Sequence, residues 1–204
     1  QNSNWHSIRL SAIKGENFSV EINSQNEFQV IYTIKDELGP KIRLIKRFLL
    51  DNGDLFWKMF FKNVSNEEIE IGDIALLLRM NTDYIGGDLM DEEAVQLTYQ
   101  NRLNRHRLIN GHGSFIFWMR ANGIGPYLLM IPEEGTKLEY FDKDYPAFIH
   151  SACTGGGEHR GTWRQKHTSI ILPPQASAAY GFKFVWCDDY EAVRNALNEN
   201  NSFD

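Results

Sequence analysis

Leu49-Leu50-Asp51-Asn52-Gly53-Asp54-Leu55-Phe56-Trp57 is the stretch from which the rest of the chain can be read. An Asn-Gly pair between two apolar runs is a strong signal for a two-residue hairpin, because both residues accept positive φ. The runs on either side, 41–50 and 55–62, are rich in Ile, Leu, Phe and Trp. They read as paired antiparallel strands. Upstream, Phe18-Ser19-Val20-Glu21-Ile22 alternates apolar with polar residues, and 28–34 repeats the pattern with β-branched and aromatic side chains. That is the period of half-buried strands. Downstream, Asn63-Val64-Ser65-Asn66-Glu67 turns the chain into Ile69-Glu70-Ile71 and on toward residue 80. The first eighty residues predict an antiparallel meander.

Beyond it the pattern loosens. Residues 81–95 carry Gly86-Gly87 and the acidic group Asp88, Asp91, Glu92 and Glu93, and read as a long loop with room for one helical turn. Residues 98–109 carry Arg102, Arg105, His106 and Arg107; a helix face or a wide solvated strand fits them, and the strand is the preferred reading. Strands resume at 114–120, 127–131, 137–141, 147–150, 168–172 and 178–186, the last two joined by Pro173-Pro174-Gln175. Tyr190, Val193 and Leu197 fall at i, i+3 and i+7 behind Asp188-Asp189, which predicts one short helix with an aspartate N-cap. Roughly a dozen strands and one terminal helix predict an all-β, large antiparallel β-sandwich over 1–187. Residues 188–204 follow as a short helix and a polar linker toward a further domain. No strand-helix-strand alternation supports a doubly wound sheet.

The chain has 204 residues, 42% of them apolar and 24% charged, which is ordinary globular usage. Its net charge is −6, so nothing in the balance favours the phosphate neutralisation that non-specific nucleic-acid binding needs. No apolar run approaches the roughly 20 residues of a membrane-spanning helix. Cys153 and Cys187 fit no metal or redox spacing, and each reads as a free buried thiol. The six histidines show neither i, i+4 helical spacing nor cysteine partners, so no metal or other cofactor is expected. Gly123-Ile124-Gly125 precedes a proline and a strand, not the helix N-terminus that holds a phosphate. Glu133-Glu134, Asp142 with Asp144, and Asp188-Asp189 are available carboxylate pairs, but adjacent acids are also ordinary turn and cap chemistry.

Two segments stand out for binding. In Cys153-Thr154-Gly155-Gly156-Gly157-Glu158-His159-Arg160-Gly161-Thr162-Trp163-Arg164, three glycines precede a carboxylate, an imidazole, two guanidiniums and an indole. An aromatic face suits the C–H side of a sugar ring, and charged forks suit its hydroxyls or a carboxylate. Glu158, His159, Arg160, Trp163 and Arg164 are therefore candidate carbohydrate-binding or interface residues; a surface loop whose Trp163 packs on its own sandwich explains the same sequence. The second segment joins His106, between Arg105 and Arg107, to His112, Trp118 and Arg120 as a polar groove across one sheet face. A solvated strand beside a core tryptophan is the alternative. Trp57 and Trp186 lie inside apolar strands and read as core.

The succession Arg47-Phe48-Leu49-Leu50, Leu55-Phe56-Trp57, Lys62-Asn63-Val64-Ser65 and Ile69-Glu70-Ile71-Gly72-Asp73 resembles a galactose-mutarotase-like supersandwich. More narrowly, it resembles the N-terminal β-domain of large bacterial carbohydrate-active proteins that continue into an (α/α)6 toroid. His112-Gly113-Ser114-Phe115, Gly125-Pro126-Tyr127-Leu128 and Leu138-Glu139-Tyr140-Phe141 extend the likeness, which runs over 47–186. The resemblance implies a non-catalytic accessory domain of a glycoside hydrolase or related polysaccharide-degrading enzyme. Such a domain packs against a C-terminal catalytic domain and helps wall a cleft for an oligosaccharide or polysaccharide. It also implies a secreted or periplasmic location. Two other readings stay open: an independent carbohydrate-binding module with Trp163 as its platform, and a small sugar epimerase or lyase with its own acid-base pair. His106 or His112 with Glu139 would be that pair only by arbitrary matching, so no catalytic residue is assigned.

Overall fold

The computed structural model describes residues 6–78, 80, 92–133, 135–141, 146–155 and 166–200. The expected hairpin forms as read. Strand β3 (Gly39–Asp51) pairs with β4 (Asp54–Asn63) from Asp51↔Asp54 outward. The two turn residues, Asn52 at φ 50° and Gly53 at φ 89°, occupy the left-handed region. Before them, β1 (Phe18–Ser24) pairs with β2 (Glu27–Asp36), and β2 with β3, completing the antiparallel meander.

The meander then breaks. β5 (Ile69–Ile71) leaves to pair with β12 (Ile170–Leu172), and β6 (Asp73–Leu77) with β11 (Pro146–Ser151), which also pairs with β10 (Tyr140–Phe141). The large sheet continues through β13 (Ser177–Cys187), β9 (Tyr127–Pro132), β8 (Phe115–Arg120) and β7 (Leu103–Leu108). Its eight strands run in the order β1-β2-β3-β4-β13-β9-β8-β7. The three-stranded and two-stranded sheets form a second layer over part of one face. Between the layers lies a core of Leu44, Met59, Phe61, Trp118, Met130, Phe182 and Phe184 from the large sheet, with Ile74, Leu76, Phe141, Ile149 and Leu172 opposite. The protein is an all-β sandwich, as its alternation predicts.

Asn63 locks the two layers at one end. It is fully buried at the end of β4. Its Nδ2 donates to the carbonyls of Glu67 at 2.7 Å and Leu172 at 2.8 Å, while its Oδ1 accepts from Ser65 N and Ser65 Oγ. A buried amide is stable there because both its ends are satisfied.

The back of the large sheet carries the terminal helix, α3 (Tyr190–Glu199). Asp189 caps it by accepting from Ala192 N at 2.8 Å, and Val193 and Leu197 bury against Phe117, Leu129, Ile131 and Cys187. A cap of this kind stabilises by about 1 kcal/mol, and each buried aliphatic side chain by roughly 1.5–3 kcal/mol. α2 (Ala152–Gly155) is a single turn tied to β6 through Asp73, whose Oδ1 accepts from Cys153 N at 2.8 Å.

Three expectations need correction. The region read as loop and strand contains helix α1 (Glu92–Asn101), and the strand begins only at Leu103. Glu92 and Glu93 sit in the first turn, where the helix dipole favours acids, and Ala94 and Thr98 turn inward one turn apart. Trp186 is not core: it lies past the end of β4 and is 61% exposed. Cys153 is exposed while Cys187 is buried; both are free thiols.

Candidate functional site

Of the expected site residues, Glu158, His159, Arg160, Trp163 and Arg164 lie outside the described residues. The other four do not form one groove. His106 faces the back of the large sheet, stacked on Phe117 at 4.7 Å between ring centroids. Its neighbours Arg105 and Arg107 face the opposite way, over the ring of Phe141 at 5.0 and 4.4 Å. Strand alternation separates them, so the expected grouping of His106 with Trp118 and Arg120 is corrected. Trp118 is 2% exposed in the core and is not available to a ligand. His112 occupies the turn before β8, with Nδ1 3.2 Å from the Thr136 carbonyl, and Arg120 is exposed at the end of β8.

What the sequence reading missed is a polar network drawn from β10–β13 and the segments beside them. Tyr180 Oη lies 2.7 Å from His150 Nε2, and His150 Nδ1 lies 2.8 Å from Thr168 Oγ1. Thr168 Oγ1 and Thr168 N donate to the two oxygens of the Glu139 carboxylate. Ser151 N and Ser151 Oγ also donate to Glu139 Oε2, at 3.1 and 3.0 Å, and Ser151 Oγ meets His167 Nδ1 at 2.8 Å. Burial pushes the Tyr180 hydroxyl up to about 12, with the Glu139 charge adding to it, so the phenol stays protonated and donates. Burial also lowers His150, against the opposing pull of Glu139 at 3.8 Å. A neutral imidazole accepts at Nε2 and donates at Nδ1, so each donor in the chain from Tyr180 runs toward Glu139.

This network lies on the two sides of residues 156–165. Ser151 N and Ala152 N both donate to the Thr168 carbonyl, joining the chain before Gly155 to the chain after Lys166. A Cβ at Gly155 would collide with the imidazole of His167, so only glycine permits this approach. Glu139 and Tyr180 are buried, and the His150 side chain is 15% exposed. Together these groups clamp the chain on the two sides of residues 156–165, with Thr168 exposed and His150 half-buried.

The open part of the large sheet is the second notable surface. Its registers place one face at even positions of 18–22, 28–34, 42–50, 178–186, 128–132 and 116–120, and at odd positions of 55–63 and 103–107. The second layer covers only part of this face. Across the rest, Val20 is 53% exposed, Ile22 81%, Phe28 42%, Leu50 48% and Trp186 61%. Phe28, Phe48 and Trp57 stack across neighbouring strands at 4.8 and 5.8 Å, with interplanar angles of 17° and 11°. The three rings form a stacked ladder across β2, β3 and β4, with Phe28 exposed at its outer end.

Comparison with protein families finds no match, and no curated protein matches the sequence. Among solved structures, a polysaccharide lyase superposes over 84% of this chain and 23% of its own, with a TM-score of 0.59 and 16% identity. A protein of Synechocystis sp. PCC 6803 aligns over 84% of this chain and 66% of its own, with a TM-score of 0.45 and 11% identity. The chain thus spans less than a quarter of the lyase's length. The first likeness agrees with the fold described above: a large antiparallel β-sandwich. No helix of the described residues is long and apolar enough to cross a membrane. Among the described residues no group of three or more His, Cys, Asp or Glu could hold a metal ion.

Proposed function

We propose that this chain is a galactose-mutarotase-like β-sandwich domain of a polysaccharide-degrading protein. Its part there is non-catalytic: it packs against a catalytic domain and helps wall the carbohydrate cleft. The observation that carries this reading is the uncovered apolar face between Ile22 and Trp186. Contiguous apolar exposure of this kind marks a surface that another folded unit covers. Two further observations support it. The Tyr180–His150–Glu139 network ties β13 to the chain beside residues 156–165 through buried Glu139, and the sandwich resembles part of a much longer polysaccharide lyase. On this reading the loop with Glu158, His159, Arg160, Trp163 and Arg164 reaches toward the cleft, and the protein works in the periplasm or outside the cell.

The test is calorimetric titration of the 204-residue chain with neutral and acidic oligosaccharides, with Trp163→Ala as control. The accessory reading expects no saturable binding. Millimolar or tighter binding that disappears in Trp163→Ala would replace it with an independent carbohydrate-binding module. In parallel, Ile22→Asp with Trp186→Asp should abolish binding of an apolar dye without lowering the unfolding midpoint. Persistent dye binding in that double variant would remove the open face as the docking surface.

A further inference from the structure

The charge on the open face narrows the partner. At the registered positions of that face the charged side chains are Lys46, Arg105, Arg107 and Arg120, all cations, in a protein whose net charge is −6. Arg105 and Arg107 reach over the ring of Phe141 in the second layer, and Arg107 and Arg120 are exposed to solvent. Lys46 is different. It is half-buried in β3, beside the ladder, with Nζ 5.5 Å from the Tyr32 ring centroid and 5.8 Å from that of Trp57. Among the described residues it has no ion pair and no hydrogen bond. Burial lowers its pKa, the behaviour of an ammonium with no nearby carboxylate. Aromatic faces attract a cation without neutralising it.

We propose that the partner on the open face is a protein surface presenting an Asp or Glu carboxylate to Lys46 at the inner edge of an otherwise apolar contact. This rests on the docking reading above and names the chemistry of its partner. Charge complementarity decides the choice: an apolar contact alone would leave the Lys46 ammonium desolvated and unpaired, which is strongly unfavourable, whereas a carboxylate compensates it. A second copy of the chain, bringing another Lys46 to the same face, would repel it.

The experiment uses three probes followed by NMR at the Lys46 ε-methylene and the Phe28 and Trp186 rings: phenylacetate, phenylacetamide and trigalacturonate. Phenylacetate is expected to bind about tenfold more tightly than phenylacetamide, with shifts at all three positions. Lys46→Met should erase the difference while both aromatic probes still bind. Equal binding of the two probes to the native chain would overturn the carboxylate inference and leave apolar docking standing. Binding of neither probe would overturn both readings. Binding of trigalacturonate that depends on Lys46 would also overturn the inference, giving the site to an acidic saccharide.

Discussion

The imidazole of His167 occupies the space into which a side chain at Gly155 would project. These residues flank the 156–165 segment on its two sides, so their contact sets how closely the ends of that segment approach. Gly155→Ala should push them apart and weaken the bonds from Ser151 and Ala152 to Thr168. Overpacking of this kind costs about 1–3 kcal/mol. Thermal unfolding measures the loss, and amide exchange should rise first at Ser151 and Ala152. Unchanged exchange at both amides would show that the contact is not tight.

The same network makes stability depend on pH. His150 has a folded pKa below its unfolded value because burial disfavours the imidazolium. The unfolded chain therefore takes up the proton first as pH falls. The stabilisation is fully present above about 6.5, the ordinary histidine value, and is lost as pH falls through the lowered folded value. Chemical denaturation across mildly acidic pH should show stability declining in that window. His150→Gln should flatten the histidine part of the decline, and an unchanged slope would assign it elsewhere.

Asn63 offers a test away from the loop. Asn63→Ala removes the side-chain donor to the buried Leu172 carbonyl and the acceptor of Ser65 N. A cost of about 2–3 kcal/mol is expected, or a fall in Tm of roughly 5–10 °C for a chain of this length. Differential scanning calorimetry measures it.

Lys46→Met should move the other way. It replaces a desolvated, unpaired ammonium with an apolar chain of similar length. The isolated protein should gain on the order of 1 kcal/mol, seen as a Tm rise of roughly 2–4 °C. A fall in Tm would mean that the Tyr32 and Trp57 rings compensate the charge more fully than burial opposes it.

Local signals made the fold legible. Asn52-Gly53 marked its hairpin, alternation marked the strands, and Asp189 with Val193 and Leu197 marked the closing helix. Alternation also contained the parity that sends His106 to one face and Arg105 and Arg107 to the other. Trp186 shows where such reasoning stops. Its strand is as apolar as that of Trp118, but only packing against the second layer buries one and leaves the other open. The clamp was harder to see, because Glu139, His150, Ser151, His167, Thr168 and Tyr180 meet only through tertiary packing. For α1, the signals were present in Glu92, Glu93, Ala94 and Thr98, and the basic residues that follow drew attention from them.

The position of β13 between β4 and β9 has a consequence for synthesis. The strand made last is the one that joins the β1–β4 half of the large sheet to the β7–β9 half. While the chain emerges from a ribosome, each half must wait with an open edge, and neither can close on the other until residues 177–187 are free. The sandwich therefore completes as a late, all-or-none event, and shortening the chain before Cys187 would leave two incomplete sheets instead of a smaller domain.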